Sequence, residues 1–221
     1  LTAGALSTAT SGAVTSTFAA GVWSASGALA NVNTLLAGVT FNPALNFNSD
    51  FSIATSVSDG VAVPITGSKA ITGTAANDAP TATNLSTAQT YTEETLLDLT
   101  DIVVADVDSS NVTATLTLSN LAAGTLSTAT SGAVTSTFAA GVWSASGALG
   151  DVNSLLAGVT FTPTPDFNAG FNIATSVSDG VAAPITGTKV LTGTPVNDAP
   201  TATNLSAAQT YTEDTLLNLT D

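Results

Sequence analysis

The feature that most constrains this chain is an internal duplication with a period of 120 residues. Trp23 recurs as Trp143, Asp59 as Asp179 and Tyr91 as Tyr211. Residues 6–101 align without a gap on residues 126–221, and 19 of the 96 aligned positions differ. Solenoid repeats are about 20 to 45 residues long, whereas a 120-residue period has the size of a whole domain. The sequence therefore predicts tandem domains of one fold, and copies this similar predict further copies in series.

Apolar residues within each copy follow the two-residue period of β-strands. Apolar and threonine positions alternate through residues 112–118, and similar patterns run through residues 171–177 and 185–192. Residues 151–158 predict one short helix that Asp151 caps, with Val152, Leu155 and Leu156 facing inward and Gly158 at its end. We therefore expect an all-β fold, with an Ig-like sandwich of about seven strands and one short helix in each repeat.

The motif Asn-Asp-Ala-Pro marks the joints between repeats. It occurs at residues 77–80 and 197–200, each time after a strand that ends in Gly-Thr. Proline favours extended backbone and cannot join a central ladder, so the motif predicts a linker. Cutting there predicts the C-terminal part of a first repeat at 1–78, a complete repeat at 79–198 and the N-terminal part of a third repeat at 199–221.

Composition narrows the range of partners and functions. Two basic residues stand against 16 acidic ones, for a net charge of −14, which disfavours nucleic acid and anionic membranes and favours multivalent cations. No apolar run is long enough to insert into a membrane. With no His or Cys, and with Ser and Thr lacking an activating partner, we expect no enzymatic activity. Trp23 and Trp143 are expected in the core, and Lys69 and Lys189 at the surface.

Several motifs, in a fixed order across the period, carry a resemblance to a known family. They are the Asn-Asp-Ala-Pro linker, Tyr-Thr-Glu-Glu-Thr at 91–95, Asp-Val-Asp at 106–108, Trp-Ser-Ala-Ser-Gly at 143–147 and Val-Ser-Asp-Gly at 177–180. In this order, the chain resembles the cadherin-like tandem repeats of giant bacterial surface adhesins that are exported by type I secretion. The resemblance implies a secreted stalk at the bacterial cell surface that supports adhesion or biofilm formation. Its joints would be stiffened by Ca²⁺, and its main partners would be neighbouring repeats of the same chain.

Acidic and amide residues are positioned to meet at the two ends of the complete repeat. Ca²⁺ takes six to eight oxygen ligands from carboxylates, carbonyls and amides. In a sandwich of this strand order, one end is expected to gather an incoming set: Asn77, Asp78, Asp106, Asp108 and Asp179. The opposite end is expected to gather an outgoing set: Glu93, Glu94, Asp166, Asn197 and Asp198. Clustered carboxylates repel one another, so the joint should flex without the cation and stiffen with it.

Two other functions stay open at this stage. Residues 199–221 repeat the front of the complete domain and are able to donate a strand to another molecule, which predicts a self-assembling fibre of like molecules. Donation would leave a gap, because that segment contains no counterpart of residues 102–120. Alternatively, the threonine face formed by Thr113, Thr115 and Thr117 presents a regular array to a glycan or to ice.

Overall fold

The computed structural model describes residues 3–203 and 205–219, which form strands and two short helices. The chain is all-β, as the two-residue periodicity predicted. It divides into two compact units. Unit 1 comprises the residues up to Pro80 together with Asp106–Ser109, and unit 2 comprises Thr81–Ala105 and the residues from Ser110 onward. Neither helix among the described residues has the length and apolar character needed to cross a membrane.

Unit 1 consists of short antiparallel pairs around one helix. Its elements are β1 (Gly4–Leu6), β2 (Thr10–Ser11), β3 (Val14–Thr15), β4 (Thr17–Ala19), β5 (Val22–Ser24), α1 (Leu29–Ala37), β6 (Phe41–Pro43), β7 (Phe51–Val57) and β8 (Ile65–Ile71). The strands pair as β1 with β6, β2 with β3, β4 with β5 and β7 with β8. Each of these sheets therefore has two strands, and both faces of the β7–β8 hairpin are largely exposed or half-buried.

Unit 2 contains the counterparts of these elements and the strands that precede them. Its elements are β9 (Thr81–Ala82), β10 (Gln89–Thr92), β11 (Leu97–Asp98), β12 (Val104–Ala105), β13 (Asn111–Leu118), β14 (Gly124–Leu126), β15 (Thr130–Ser131), β16 (Val134–Thr135), β17 (Thr137–Ala139), β18 (Val142–Ala148), α2 (Leu149–Leu156), β19 (Thr160–Pro163), β20 (Phe171–Ser178) and β21 (Ile185–Thr194). Unit 2 has more strands than the seven expected, because several of them are two-residue strands within the connections between longer strands.

A six-stranded sheet in the order β10-β21-β20-β13-β18-β17 is the centre of unit 2. The strands β13, β20 and β21 fall on the three predicted strand segments, and each extends one or two residues beyond them. At one edge, β10 lies parallel to β21, with Gln89 opposite Leu191 and Tyr91 opposite Gly193. A three-stranded sheet, β11-β19-β14, supplies further apolar side chains to the same core.

Trp143 and Phe161 are fully buried in the core of unit 2, next to Tyr91 and Ile173. The Trp143 indole N–H donates to the Ser127 carbonyl at 3.0 Å, so burial leaves its polar atom paired. Burial alternates strictly along β20, with the inward positions buried and the outward ones exposed or half-buried. The core placement expected for Trp143 is therefore confirmed.

Two sequence-based expectations were wrong. The helix α2 begins at Leu149 with Ala148 as its N-cap, so Asp151 lies in the first turn and accepts a bond from the Ser131 hydroxyl at 3.1 Å instead of capping. Lys189 is not a surface charge. It is 1% exposed, and its ammonium group donates to the Thr100 carbonyl at 2.9 Å, in the connection that follows β11.

Candidate metal centre

Glu93 follows β10 directly and contacts Val196, the residue before the outgoing linker motif at 197–200. Its backbone N–H continues the pairing with β21 by donating to the Thr194 carbonyl at 3.1 Å. Its side chain is 2% exposed. One carboxylate oxygen accepts the Val196 N–H at 2.5 Å, and the other accepts the Asn168 amide at 3.0 Å. Glu93 therefore fixes the first residues of the linker, a role that the sequence-based assignment as a Ca²⁺ ligand did not anticipate.

The three neighbouring acids Glu94, Asp166 and Asp198 form an exposed cluster. One carboxylate oxygen from each lies within 4.8 Å of the others. Glu94 sits in the turn closed by the Thr95 N–H and the Thr92 carbonyl, and Asp166 sits in a turn closed by Phe167 and Thr164. Both have positive φ, 63° and 61°, which allows the chain to reverse tightly at each position. Asp198 comes from the linker, so the cluster joins three segments that are distant in sequence.

The spacing of these oxygens suits a calcium ion. Ca²⁺–oxygen distances are about 2.3–2.6 Å, so two ligands on opposite sides of the ion are about 4.6–5.2 Å apart. Oxygens that lie within 4.8 Å of one another are close enough to share one ion. Three carboxylates that bind in one- or two-oxygen modes supply between three and six ligands. Nearby carbonyls and water would complete the shell.

The incoming linker contains a second group of acids, which lies within unit 1. The Asp78 N–H donates to a carboxylate oxygen of Asp108 at 2.8 Å. The Asp106 carboxylate accepts the backbone N–H groups of Asp108, at 3.1 Å, and of Ser109, at 2.7 Å. The Asn77 amide donates to the Asp78 carbonyl at 3.0 Å, and Asn197 repeats this contact with Asp198 at 3.2 Å. The structure thus brings together Asn77, Asp78, Asp106 and Asp108.

Asp179, the remaining member of the incoming set, belongs to unit 2 and stabilises a turn. Its carboxylate accepts the N–H groups of Val181 and Ala182, both at 2.9 Å. The equivalent Asp59 makes the same two bonds in unit 1, and they lower the pKa of that carboxyl group. Asp179 also borders a groove of about 310 Å³ in unit 2, together with Asn111 and Ser146.

Tyr91 is a buried core residue next to this site, and sequence reasoning used it only as a marker of the repeat. Its ring is 2% exposed and packs edge-on against Phe161, with ring centroids 5.3 Å apart. Its hydroxyl donates to the Ala169 carbonyl at 2.7 Å, in the loop that also contains Asp166. Burial raises the pKa of this hydroxyl, and the Glu93 charge raises it further. The available signal was its position two residues before Glu93, on the same side of an extended strand.

No family model matches this chain, and no curated protein matches it. Among solved structures it is similar to an endo-fucoidan hydrolase of glycoside hydrolase family 107, with 12% identity and a TM-score of 0.28. That match covers 87% of this chain and 24% of the hydrolase chain. A similarity this low does not bear on the function of either unit.

Proposed function

We propose that this chain is a stretch of extender repeats from a secreted bacterial adhesin or surface fibre, stiffened by Ca²⁺ at the joints between repeats. The observation that carries the proposal is the cluster of Glu94, Asp166 and Asp198, in which a linker carboxylate meets two carboxylates from the body of the domain. In this role the chain is a spacer and not an enzyme. It would hold an adhesive or binding segment away from the cell and so support adhesion or biofilm formation.

The linker is ordered in two steps along its length. Glu93 first fixes Val196 through a bond to the backbone, so the chain enters the linker motif in a defined direction. Two residues later, Asp198 reaches the exposed carboxylates of Glu94 and Asp166. Three like charges within about 5 Å repel one another, and this repulsion favours a linker that moves away from the domain. A bound Ca²⁺ supplies the positive charge that reverses this preference.

The incoming linker supports the same interpretation from its own contacts. Asp78 is bonded through its backbone to Asp108, and Asp106 holds the backbone of the same short segment. These contacts orient the Asp106–Ser109 segment without any positively charged side chain. The two linkers share the Asn-Asp-Ala-Pro sequence, so a cation at each joint would act on the same local chain conformation.

Calcium titration of the 221-residue chain tests the proposal. We expect calorimetric binding in the range of about 10⁻⁴–10⁻³ M that is usual for extracellular modules, with a rise in melting temperature that Mg²⁺ does not reproduce. Asp198→Asn should weaken binding at the outgoing joint at least tenfold. The matched control is Asp98→Asn, an exposed position at which the other copy naturally has Asn218.

Small-angle scattering of the same samples reports on stiffness. Under the proposal, Ca²⁺ narrows the distribution of molecular dimensions in the wild type and in Asp98→Asn, but much less in Asp198→Asn. If Ca²⁺ changes neither the melting temperature nor the scattering of the wild type, the acids only solvate the linkers, and the calcium-stiffened stalk is excluded.

A further inference from the structure

The helix α2 holds the short strand β12 through one side chain. The side-chain oxygen of Asn153 accepts the Val104 N–H at 2.8 Å, and the side-chain nitrogen donates to the Val104 carbonyl at 2.8 Å. In a sheet, a neighbouring strand offers its own acceptor and donor to the residue that faces it. Asn153 therefore takes the place of a strand along this edge of β12.

The opposite edge of β12 pairs with β9. Val104 lies opposite Ala82 and Ala105 lies opposite Thr81, in a sheet of two strands. The Thr81 hydroxyl adds a bond to the Ala105 carbonyl at 3.2 Å. Val104 is 2% exposed, so water has little access to its backbone, and a buried N–H or C=O group without a partner is unfavourable. The position of β12 therefore depends on the two bonds that Asn153 supplies.

The strands β9 and β12 lead directly into the acidic residues of the incoming linker. β9 begins right after Pro80, the last residue of the linker motif, and β12 ends at Ala105, right before Asp106. Because the two strands are antiparallel, the chain enters β9 and leaves β12 at the same end of the pair. Three residues beyond this end on each segment, the Asp78 N–H donates to the Asp108 carboxylate at 2.8 Å. The pairing of β9 with β12 thus prepares this contact.

We infer that Asn153 is a positioning residue for the incoming linker. It acts through Val104, two residues before Asp106, and so determines where the chain presents the Asp106 and Asp108 carboxylates to the linker. Asparagine suits this task because one amide offers both an acceptor and a donor, whereas an aspartate offers only acceptors. The inference rests on the proposed function, since these carboxylates are among the proposed Ca²⁺ ligands, but the positioning itself precedes any cation.

Amide hydrogen exchange, followed by NMR in the presence of EDTA, tests the positioning without any cation. Asn153→Ala removes both bonds to Val104, and Asn153→Asp keeps only the acceptor. The reporters are the amides of Asp78 and Ser109, which donate to the Asp108 and Asp106 carboxylates. We expect both amides to exchange at least tenfold faster in Asn153→Ala through local opening, with Asn153→Asp between this variant and the wild type.

Two controls separate positioning from a general loss of stability. The Val196 amide, which donates to Glu93, reports on the outgoing linker, and its exchange rate should stay within about twofold of the wild-type rate in both variants. Asn33 is the counterpart of Asn153 on α1 and is exposed. Asn33→Ala makes the same chemical change in nearly the same local sequence, and it should leave the exchange of the Asp78 amide unchanged.

Calcium titration of the same samples distinguishes the inference from the proposed function. Asn153→Ala should weaken the Ca²⁺ affinity that the Asp78 amide reports at least tenfold, and should change the affinity that the Val196 amide reports by no more than about twofold. If the wild type binds no Ca²⁺, the proposed function fails, and the exchange rates in EDTA still decide the role of Asn153. Unchanged exchange of the Asp78 amide in Asn153→Ala, or equal acceleration at Asp78 and Val196, would overturn the inference.

Discussion

Replacing Glu93 should destabilise unit 2 far more than replacing any exposed acid. The Glu93 carboxylate accepts two hydrogen bonds while 2% exposed, from the Val196 N–H and the Asn168 amide. A bond to a charged group contributes about 1.5–3 kcal/mol. In Glu93→Gln the amide oxygen keeps one of these bonds, but the amide nitrogen faces a donor, so about 2 kcal/mol should be lost. In Glu93→Ala both donors lose their acceptor, and about 3–5 kcal/mol should be lost.

Urea unfolding followed by tryptophan fluorescence measures this change. The background is Trp23→Phe, so that Trp143, which is fully buried in unit 2, becomes the reporter. EDTA is present throughout, which separates the hydrogen bonds from any bound cation. With an m-value of about 2 kcal/mol per M, Glu93→Gln should lower the midpoint by about 1 M.

Glu213 is the matched control, because it is the counterpart of Glu93 and is exposed. Glu213→Gln should shift the midpoint by no more than about 0.25 M, since exposed substitutions change stability by less than about 0.5 kcal/mol. Equal midpoints for Glu93→Gln and Glu213→Gln would refute the argument that Glu93 holds the linker.

Two further predictions concern alkaline pH, where buried groups of unit 2 act in opposite directions. Burial and the Glu93 charge raise the pKa of Tyr91 above 10.0, so its contribution to stability is complete below pH 10 and is lost as pH rises through the raised value. Tyr91→Phe should remove this alkaline loss and should cost about 1 kcal/mol at neutral pH through the missing hydroxyl bonds, as urea midpoints between pH 7 and 11 would reveal. A variant that keeps the wild-type alkaline loss would show that another group is responsible. Burial lowers the pKa of Lys189 below 10.5, with the Asp101 charge opposing the shift, so its contribution is complete above pH 10.5 and is lost as pH falls through the lowered value. Lys189→Met should therefore flatten the rise in stability just below pH 10.5, while Lys69→Met, at an exposed position, should leave the pH profile of unit 2 unchanged. Identical profiles for Lys189→Met and the wild type would contradict the burial of the ammonium group.

The sequence was sufficient to predict the strands that bury one face. Buried and more exposed residues alternate strictly along β13 and β20. Because successive side chains of a strand point to opposite faces, this two-residue period determines which face packs on the core. The inward positions Val152, Leu155 and Leu156 of the helix were also confirmed. Its beginning was wrong, because Asp151 is a favourable cap in isolation, whereas the chain enters the helix directly from β18 at Ala148.

Contacts between distant segments were not predictable from the pattern. Lys189 occupies an inward position of β21, and a lone lysine there indicates an exposed edge unless another segment covers it. The contact is made by Thr100, whose carbonyl accepts the ammonium hydrogen bond from about 90 positions earlier in the chain. The burial of Glu93 was likewise not predictable from the sequence. Its neighbour Glu94 is exposed, and only the position of the folded linker determines which of the two is buried.

Tyr91, Glu93 and Glu94 are close in sequence and connect the core of unit 2 to the linker motif at residues 197–200. Tyr91 and Glu93 lie on the same side of an extended strand, and this side faces the core, so both are buried when β10 pairs with β21. The turn at Glu94 then directs the next carboxylate to the solvent, beside Asp198. Folding of the domain therefore orders Val196 before any cation binds. Because hydrogen bonds within the domain already order Val196, the proposed cation site would need only weak affinity to hold Asp198 in place.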